Sequence, residues 1–504
     1  RIRFTIRRRK RCSTESQKGE LDMKFPRMIA VLGLTCALLL SGCGSEENSS
    51  FSELMASKKN GAQQSPLTKM PEHMKDMYGM EETSDSALTN ETYPTLKEEI
   101  GDYNGCSLRY PNFEELSVGM LYKGEAHKYC LFDKEGQVHC IFDNDVNIVS
   151  GFYNGMCLTS TGAMAKEDDT LFRPAYLSDD EIIIRYAKDD DGVLLWTVKR
   201  EDSIKGTTAI LTAWDANGEI RFQCDTTRDE FSEMNPDTVY NDLSQNQYES
   251  IGISQAFAYC GGSVYRIRSD LYYVFMNIDT GKFFSVQEPN AYLVQVEGNQ
   301  MIRTQPGLSA LDGDFNELPE WKAIKSRRSG TPVLSEGLLY LDVRRDADNF
   351  EDYPSGFYDV HLNRIIDLSE YDVRPINENS EPRFMNGYAV LQLRNPDGVL
   401  FWGVMDKNGN WTSQPQKGTI KYVFPTADGV LISTCEENTD MYQTYDQNGA
   451  KLQNWEGLKF NGYYGYADKG TAYGSYEVYD GFLYTDLSGH IAKISSGGTF
   501  EMLS

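Results

Sequence analysis

The side chains able to do chemistry are five histidines, ten cysteines and seventy-five carboxylates. His73, His127, His139, His361 and His490 are scattered along the chain. They form no H-E-x-x-H pair, which would place two imidazoles on one helical face for zinc. No G-x-S-x-G turn presents a serine nucleophile. No G-x-x-x-x-G-K-[ST] loop is present, and no G-x-G-x-x-G follows a strand, so phosphate cradles are missing. Acidic stretches at 189–192 and 346–352 lack the alternating spacing and trailing Glu of a calcium loop. Carboxylates are so abundant that no glycosidase pair stands out by separation. The expectation is a protein that is not an enzyme, with no cofactor and no metal.

One cysteine has a distinctive setting. Residues 29–40 are twelve uncharged, apolar residues, preceded by Lys24 and Arg27. A membrane-spanning helix needs about 20 such residues, so this run has the length of a secretory core instead. It ends in Leu40-Ser41-Gly42-Cys43. That sequence resembles the lipobox of bacterial lipoproteins. The resemblance implies that the Cys43 thiol carries diacylglycerol, that the leader 23–42 is cut away, and that the chain is held to a bacterial membrane outside the cytoplasm. Each buried methylene of such a lipid contributes about 0.8 kcal/mol. Residues 1–22 are strongly basic and begin without Met. An arginine-rich nucleic-acid arm is one reading. The preferred reading is translated leader DNA with Met23 as the start, because Lys18-Gly19-Glu20 can be encoded by a ribosome-binding sequence.

Net charge fits an exported chain. The full sequence carries −26. Residues 1–42 carry +7, so the mature chain would stand at −33. Such a charge repels nucleic acid and anionic lipid faces. Residues 43–95 are polar, rich in Met and poorly periodic, which suits a flexible tether. Beyond Cys43 lie seven cysteines, at 106, 130, 140, 157, 224, 260 and 435. The number is odd, and no C-x-x-C pair occurs, so zinc-ribbon and thioredoxin-like chemistry lack support.

From 96 to 504 the pattern is that of short alternating strands. Turns of one type recur at Asp133, Asp215, Asp279, Asp406, Asp446 and Asp486, with weaker members at 189–192, Asp312 and Asp359. The last three strong members are forty residues apart. A Gly that opens an apolar strand precedes several turns by seventeen to twenty-two residues, at Gly262, Gly337, Gly387 and Gly429. A period of about 40–50 residues built from four short strands is the mark of a β-propeller. The expected fold is therefore all-β: a propeller of about seven to eight four-stranded blades after a signal peptide and tether. In each turn the Asp caps backbone N–H groups, and the Gly three residues on takes φ > 0 in a G1 bulge. In the first hairpin this geometry sets Cys130 opposite Cys140. Opposite residues lie close enough for a cross-strand disulfide, or for two facing thiols.

The stretch 384–411 resembles the WG repeat, a family with a Phe-x-x-Gly strand start, a Trp-Gly pair and a D-K-x-G turn. Phe384, Gly387, Trp402, Gly403, Asp406 and Gly409 match it. The resemblance implies a propeller-like lipoprotein tied to binding. The Tyr-rich tail 460–484 holds seven tyrosines, either a stacking face for sugar or peptide or aromatic packing between blades, the second being preferred. The leading expectation is a lipid-anchored binding or scaffolding protein with an unknown protein or glycan partner and no nucleic acid. A glycan- or peptidoglycan-directed binder or hydrolase is the alternative, and an envelope-protein assembly factor a third.

Overall fold

A computed structural model describes the chain from Thr95 to Ser504, apart from short internal stretches of which the longest are 246–255, 322–332, 344–352 and 467–474. Cys43, the leader 23–42, residues 1–22 and the tether up to residue 94 lie outside the described residues.

The described chain is all-β, with one nine-residue helix, α1 (Pro236–Ser244). Its strands form nine antiparallel sheets in succession, at 105–141, 156–172, 181–225, 257–287, 293–311, 334–367, 373–417, 419–466 and 476–502. Six have four strands, and each of these but the eighth keeps its strands in chain order. In the eighth, strand Gly465–Tyr466 runs parallel to Thr419–Pro425 at one edge. The second and fifth have three strands, and the seventh has five.

Packing follows the same order. Val118, Leu131 and Cys140 of the first sheet bury against Cys157 and Ala165 of the second. Trp196 of the third packs on Phe257 and Tyr265 of the fourth. Phe275 faces Leu311, Leu334 faces Ala310, Phe357 faces Phe384, and Val404 faces Val423. The eighth and ninth share Phe424 and Leu483, and the ninth and first share Tyr484, Ile491, Leu108 and Cys130. Every apolar cluster among the described residues therefore joins two consecutive sheets, and one of them joins the last sheet to the first. A sheet with two apolar faces must be covered on both, and a cyclic stack covers all of them.

Nine sheets exceed the seven to eight units expected. Eight steps of about 44 residues separate nine turns. In addition, some sheets carry the turn with a residue other than Asp at its first position. The second sheet turns at Lys166–Thr170 with Asp169 at φ 60°, and the ninth at Ser495–Thr499 with Gly498 at φ 76°.

The turn chemistry itself is visible atom by atom. Asp133 Oδ1 accepts from the N–H groups of Glu135 and Gln137 at 3.0 and 2.9 Å. Asp215, Asp312, Asp359, Asp406 and Asp446 do the same two and four residues on. Two expected members differ. In the fourth sheet Asn277 is the capping residue, and Asp279 accepts from Ser263 Oγ at 2.6 Å. Asp486 lies inside strand Phe482–Leu487, before a two-residue turn at Ser488 and Gly489.

Candidate binding cleft

Three hairpin turns meet at one end of the sixth, seventh and eighth sheets. Glu336-Gly337 and Asn386-Gly387 have φ of 54° and 81°, and of 50° and 81°. Both residues of each pair are left-handed, as a type I′ turn requires, so its twist matches that of the flanking strands. The third turn runs from Thr426, whose N–H donates to Gly429 O at 2.9 Å.

The turns are stitched to one another. The Glu336 carboxylate accepts from the Gly387 N–H at 3.0 and 3.2 Å and pairs with Lys407 Nζ at 2.8 Å. Ser335 Oγ donates to Phe384 O at 2.6 Å. Asn386 Nδ2 donates across to the carbonyls of Thr426 and Gly429. Between them lies a cavity of about 330 Å³, within the usual range for ligand sites. Arg383, Glu336, Asn386 and Thr426 supply its polar lining. Phe384, Met385, Pro425 and Val478 supply apolar surface, and Tyr476 of the ninth sheet completes the wall. Thr426 is 1% exposed, and its hydroxyl has no hydrogen-bond partner among the described residues. A buried hydroxyl without a partner costs about 1–3 kcal/mol.

The cleft's described lining holds one carboxylate, already engaged by an amide and an ammonium, and no histidine or cysteine. It can offer hydrogen-bond donors, a guanidinium and an apolar wall. Its lining does not assemble a nucleophile with a base, nor a pair of carboxylates flanking a bond.

Of the WG-like residues, Phe384 lines the cleft and Gly387 anchors Glu336. The others support the turn from within the seventh sheet. Trp402 is buried against the Tyr445 ring, centroids 4.9 Å apart. A Cβ on Gly403 would stand 2.7 Å from the Trp411 ring and 3.1 Å from Ser413 O, so glycine is what lets that indole cross the strand. Asp406 caps its turn, and Gly409 takes φ 81°.

The pairing expected for the first hairpin needs correction. Phe132 faces Val138, but Leu131 then faces Cys140 and Cys130 faces Ile141. His139 is the extra residue of a β-bulge, which moves the register by one and puts the two thiols on opposite faces. Cys140 lies in the core shared with the second sheet, and Cys130 in the core shared with the ninth. Both are free thiols. The bulge turns His139 onto two carboxylates, Asp133 Oδ2 at 3.3 Å and Glu167 Oε1 at 3.1 Å. These hydrogen bonds, Asp133 first, raise the imidazole to about 9. It is a charged clamp between the first two sheets.

Among the tyrosines of the tail, Tyr476 and Tyr484 are buried and Tyr479 is half-buried. The side chains of Tyr463, Tyr464, Tyr466 and Tyr473 lie outside the described residues. So does the acidic stretch 346–352; of the stretch 189–192 all but residue 191 is described, and Asp189 is bonded to Arg185 and accepts from Tyr265 OH at 2.8 Å. No group of three or more His, Cys, Asp or Glu among the described residues is arranged to hold a metal ion. Glu336, Arg383 and Thr426 were not singled out by the sequence. The only local trace was the Gly that opens each inner hairpin.

No family model matches the chain, and no curated protein matches it. Similar solved structures include the computationally designed Ika8 protein, at 10% identity over 80% of this chain and 97% of that one, TM-score 0.34. A eukaryotic initiation factor shares 9% identity over 82% and 95%, TM-score 0.35. Virginiamycin B lyase from Staphylococcus aureus shares 9% over 79% and 95%, TM-score 0.25.

Proposed function

We propose that the chain is a lipid-anchored, extracytoplasmic binding protein built as a β-propeller of nine blades. The cyclic succession of nine sheets supports the architecture. The lipobox-like Leu40-Ser41-Gly42-Cys43 supports the anchor. The observation that carries the binding role is the cleft where three hairpin turns meet, with an apolar wall beside Arg383 and Asn386. Its ligand is a small molecule or protein segment that brings an acceptor group to Arg383 and an apolar group to Met385, Pro425 and Val478. The WG-like segment shapes the turn that bears Asn386.

A glycan hydrolase would call for exposed rings beside two acids. Among the described residues the cleft instead has one acid, held by Lys407, and two aromatic side chains, Phe384 and Tyr476, that are 1% and 7% exposed. Binding is therefore the reading we adopt.

Crosslinked pull-downs from intact cells test it. Ala427 is exposed at the cleft, so Ala427→Trp fills the space without disturbing the core. The partner recovered with the unaltered chain should be lost with this variant; undiminished recovery would contradict the cleft. For the anchor, Cys43→Ser should release the protein from membranes or block its processing. Retention with the same cleavage would exclude the lipid.

A further inference from the structure

We propose that the seam between the first and ninth sheets is a proton-linked latch, tight while the Asp486 carboxyl is neutral and loosened once it ionises. Asp486 lies in strand Phe482–Leu487 and is 6% exposed. It accepts the backbone N–H of Leu108, in strand Gly105–Tyr110, at 2.9 Å. A carboxylate taken from water needs several donors or a close cation to offset its lost hydration.

The groups around it supply little of that. From the first sheet, the Cys106 thiol and the Tyr122 phenol face Asp486; the Cys130 thiol and burial hold the proton on Cys106, burial holds that on Tyr122, and the Asp486 charge adds to both. The Cys130 thiol stands against Cys106, both over Gly119, where a Cβ would meet the two sulfurs at 3.2 and 2.8 Å. Arg109 is the cation that acts on Asp486, and its effect comes after that of the Leu108 N–H. From the ninth sheet, Ile491 stands opposite Asp486, and Thr485 and Leu487 flank it, all uncharged. His490, next to Ile491, is exposed. Two neutral thiols, a phenol and aliphatic side chains suit an acid, not its anion.

Burial outweighs the Leu108 N–H and Arg109 and pushes Asp486 up to about 7. The closed seam thus favours the proton. Its stabilisation is complete below the ordinary carboxyl value of 3.8 and is lost as pH rises through about 7. Other seam bonds include Ser475 Oγ to Arg109 O at 2.9 Å, the Phe113 N–H to Glu477 Oε2 at 2.7 Å, Tyr122 OH to Gly489 O at 3.1 Å and the ion pair of Lys134 Nζ with Asp480 Oδ2 at 3.1 Å. They would hold the ring while the latch is loosened, so the change is local opening rather than unfolding.

Native-state hydrogen exchange on the full-length protein between pH 5 and pH 8.5, corrected for intrinsic rates, reads the latch. Protection in strands Gly105–Tyr110 and Phe482–Leu487 should fall by up to roughly tenfold per pH unit and level off above about pH 7. Strand Tyr388–Arg394 of the seventh sheet should not follow. Asp486→Asn keeps an acceptor for Leu108 and should abolish the pH dependence of the seam. Parallel behaviour of the seam and the seventh sheet in the unaltered protein would overturn the proposal, even if the variant failed to fold. So would an unchanged pH dependence in a folded Asp486→Asn.

Discussion

Leu108 donates its backbone N–H to Asp486 Oδ1 across 378 residues of sequence, at 2.9 Å. This bond, with the shared core of Leu108, Tyr484 and Ile491, ties the last sheet to the first. Replacing Asp486 by Ala leaves the Leu108 N–H buried without its acceptor. The expected cost is about 1–3 kcal/mol in urea unfolding near pH 4, where the carboxyl is neutral, and less at pH 7. A loss below about 0.5 kcal/mol would mean that the bond contributes nothing to closure.

The Trp-Gly pair makes a packing prediction. Gly403→Ala drives a methyl into the Trp411 ring at 2.7 Å and toward Ser413 O at 3.1 Å. Either the indole moves or the strand does, at about 1–3 kcal/mol. Trp411 fluorescence should shift with the loss of stability. A neutral substitution with an unchanged spectrum would show that the glycine is not there to pass the ring.

His139 sets a second pH dependence, of separate origin. Its partners Asp133 and Glu167 raise it from 6.5 to about 9. Because the folded value is the higher one, the clamp's stabilisation is complete below about pH 6.5 and disappears as pH rises through about 9. His139→Gln should lower thermal stability at pH 6.5 and cancel the decline between pH 7 and pH 10. Equal melting curves for the two proteins across this range would refute the clamp.

Thiol chemistry checks the corrected register. Six of the seven described cysteines are buried, and Cys260 is half-exposed. Mass mapping without reductant should find no Cys130–Cys140 crosslink. Thiol reagents should label Cys260 first in the native protein and the others only after unfolding. A Cys130–Cys140 disulfide would require the bulge at His139 to be absent.

The fold was legible where its chemistry is local. An Asp that caps its own turn needs only the residues at i+2 and i+4, so Asp133, Asp215, Asp406 and Asp446 could be read one turn at a time. Asp279 and Asp486 share the letters but not the place in the hairpin. Asn277 takes over in the first case, and burial in a strand changes the role of the second. The Cys130 register failed because one bulged residue, His139, reverses every face beyond it. The cleft was least visible. Glu336, Arg383, Thr426 and Tyr476 come from separate parts of the sequence, and only the cyclic packing of sheets brings them together.

The central claim is that this cleft is where the protein engages its partner. A photo-crosslinking residue placed at Ala427 in the full-length protein tests it in living cells. The comparison position is Ile220, 53% exposed in the third sheet. A discrete adduct is predicted from Ala427 and not from Ile220, and it should fade when Arg383 is replaced by Ala. No adduct from Ala427, or the same adduct from both positions, would contradict the account.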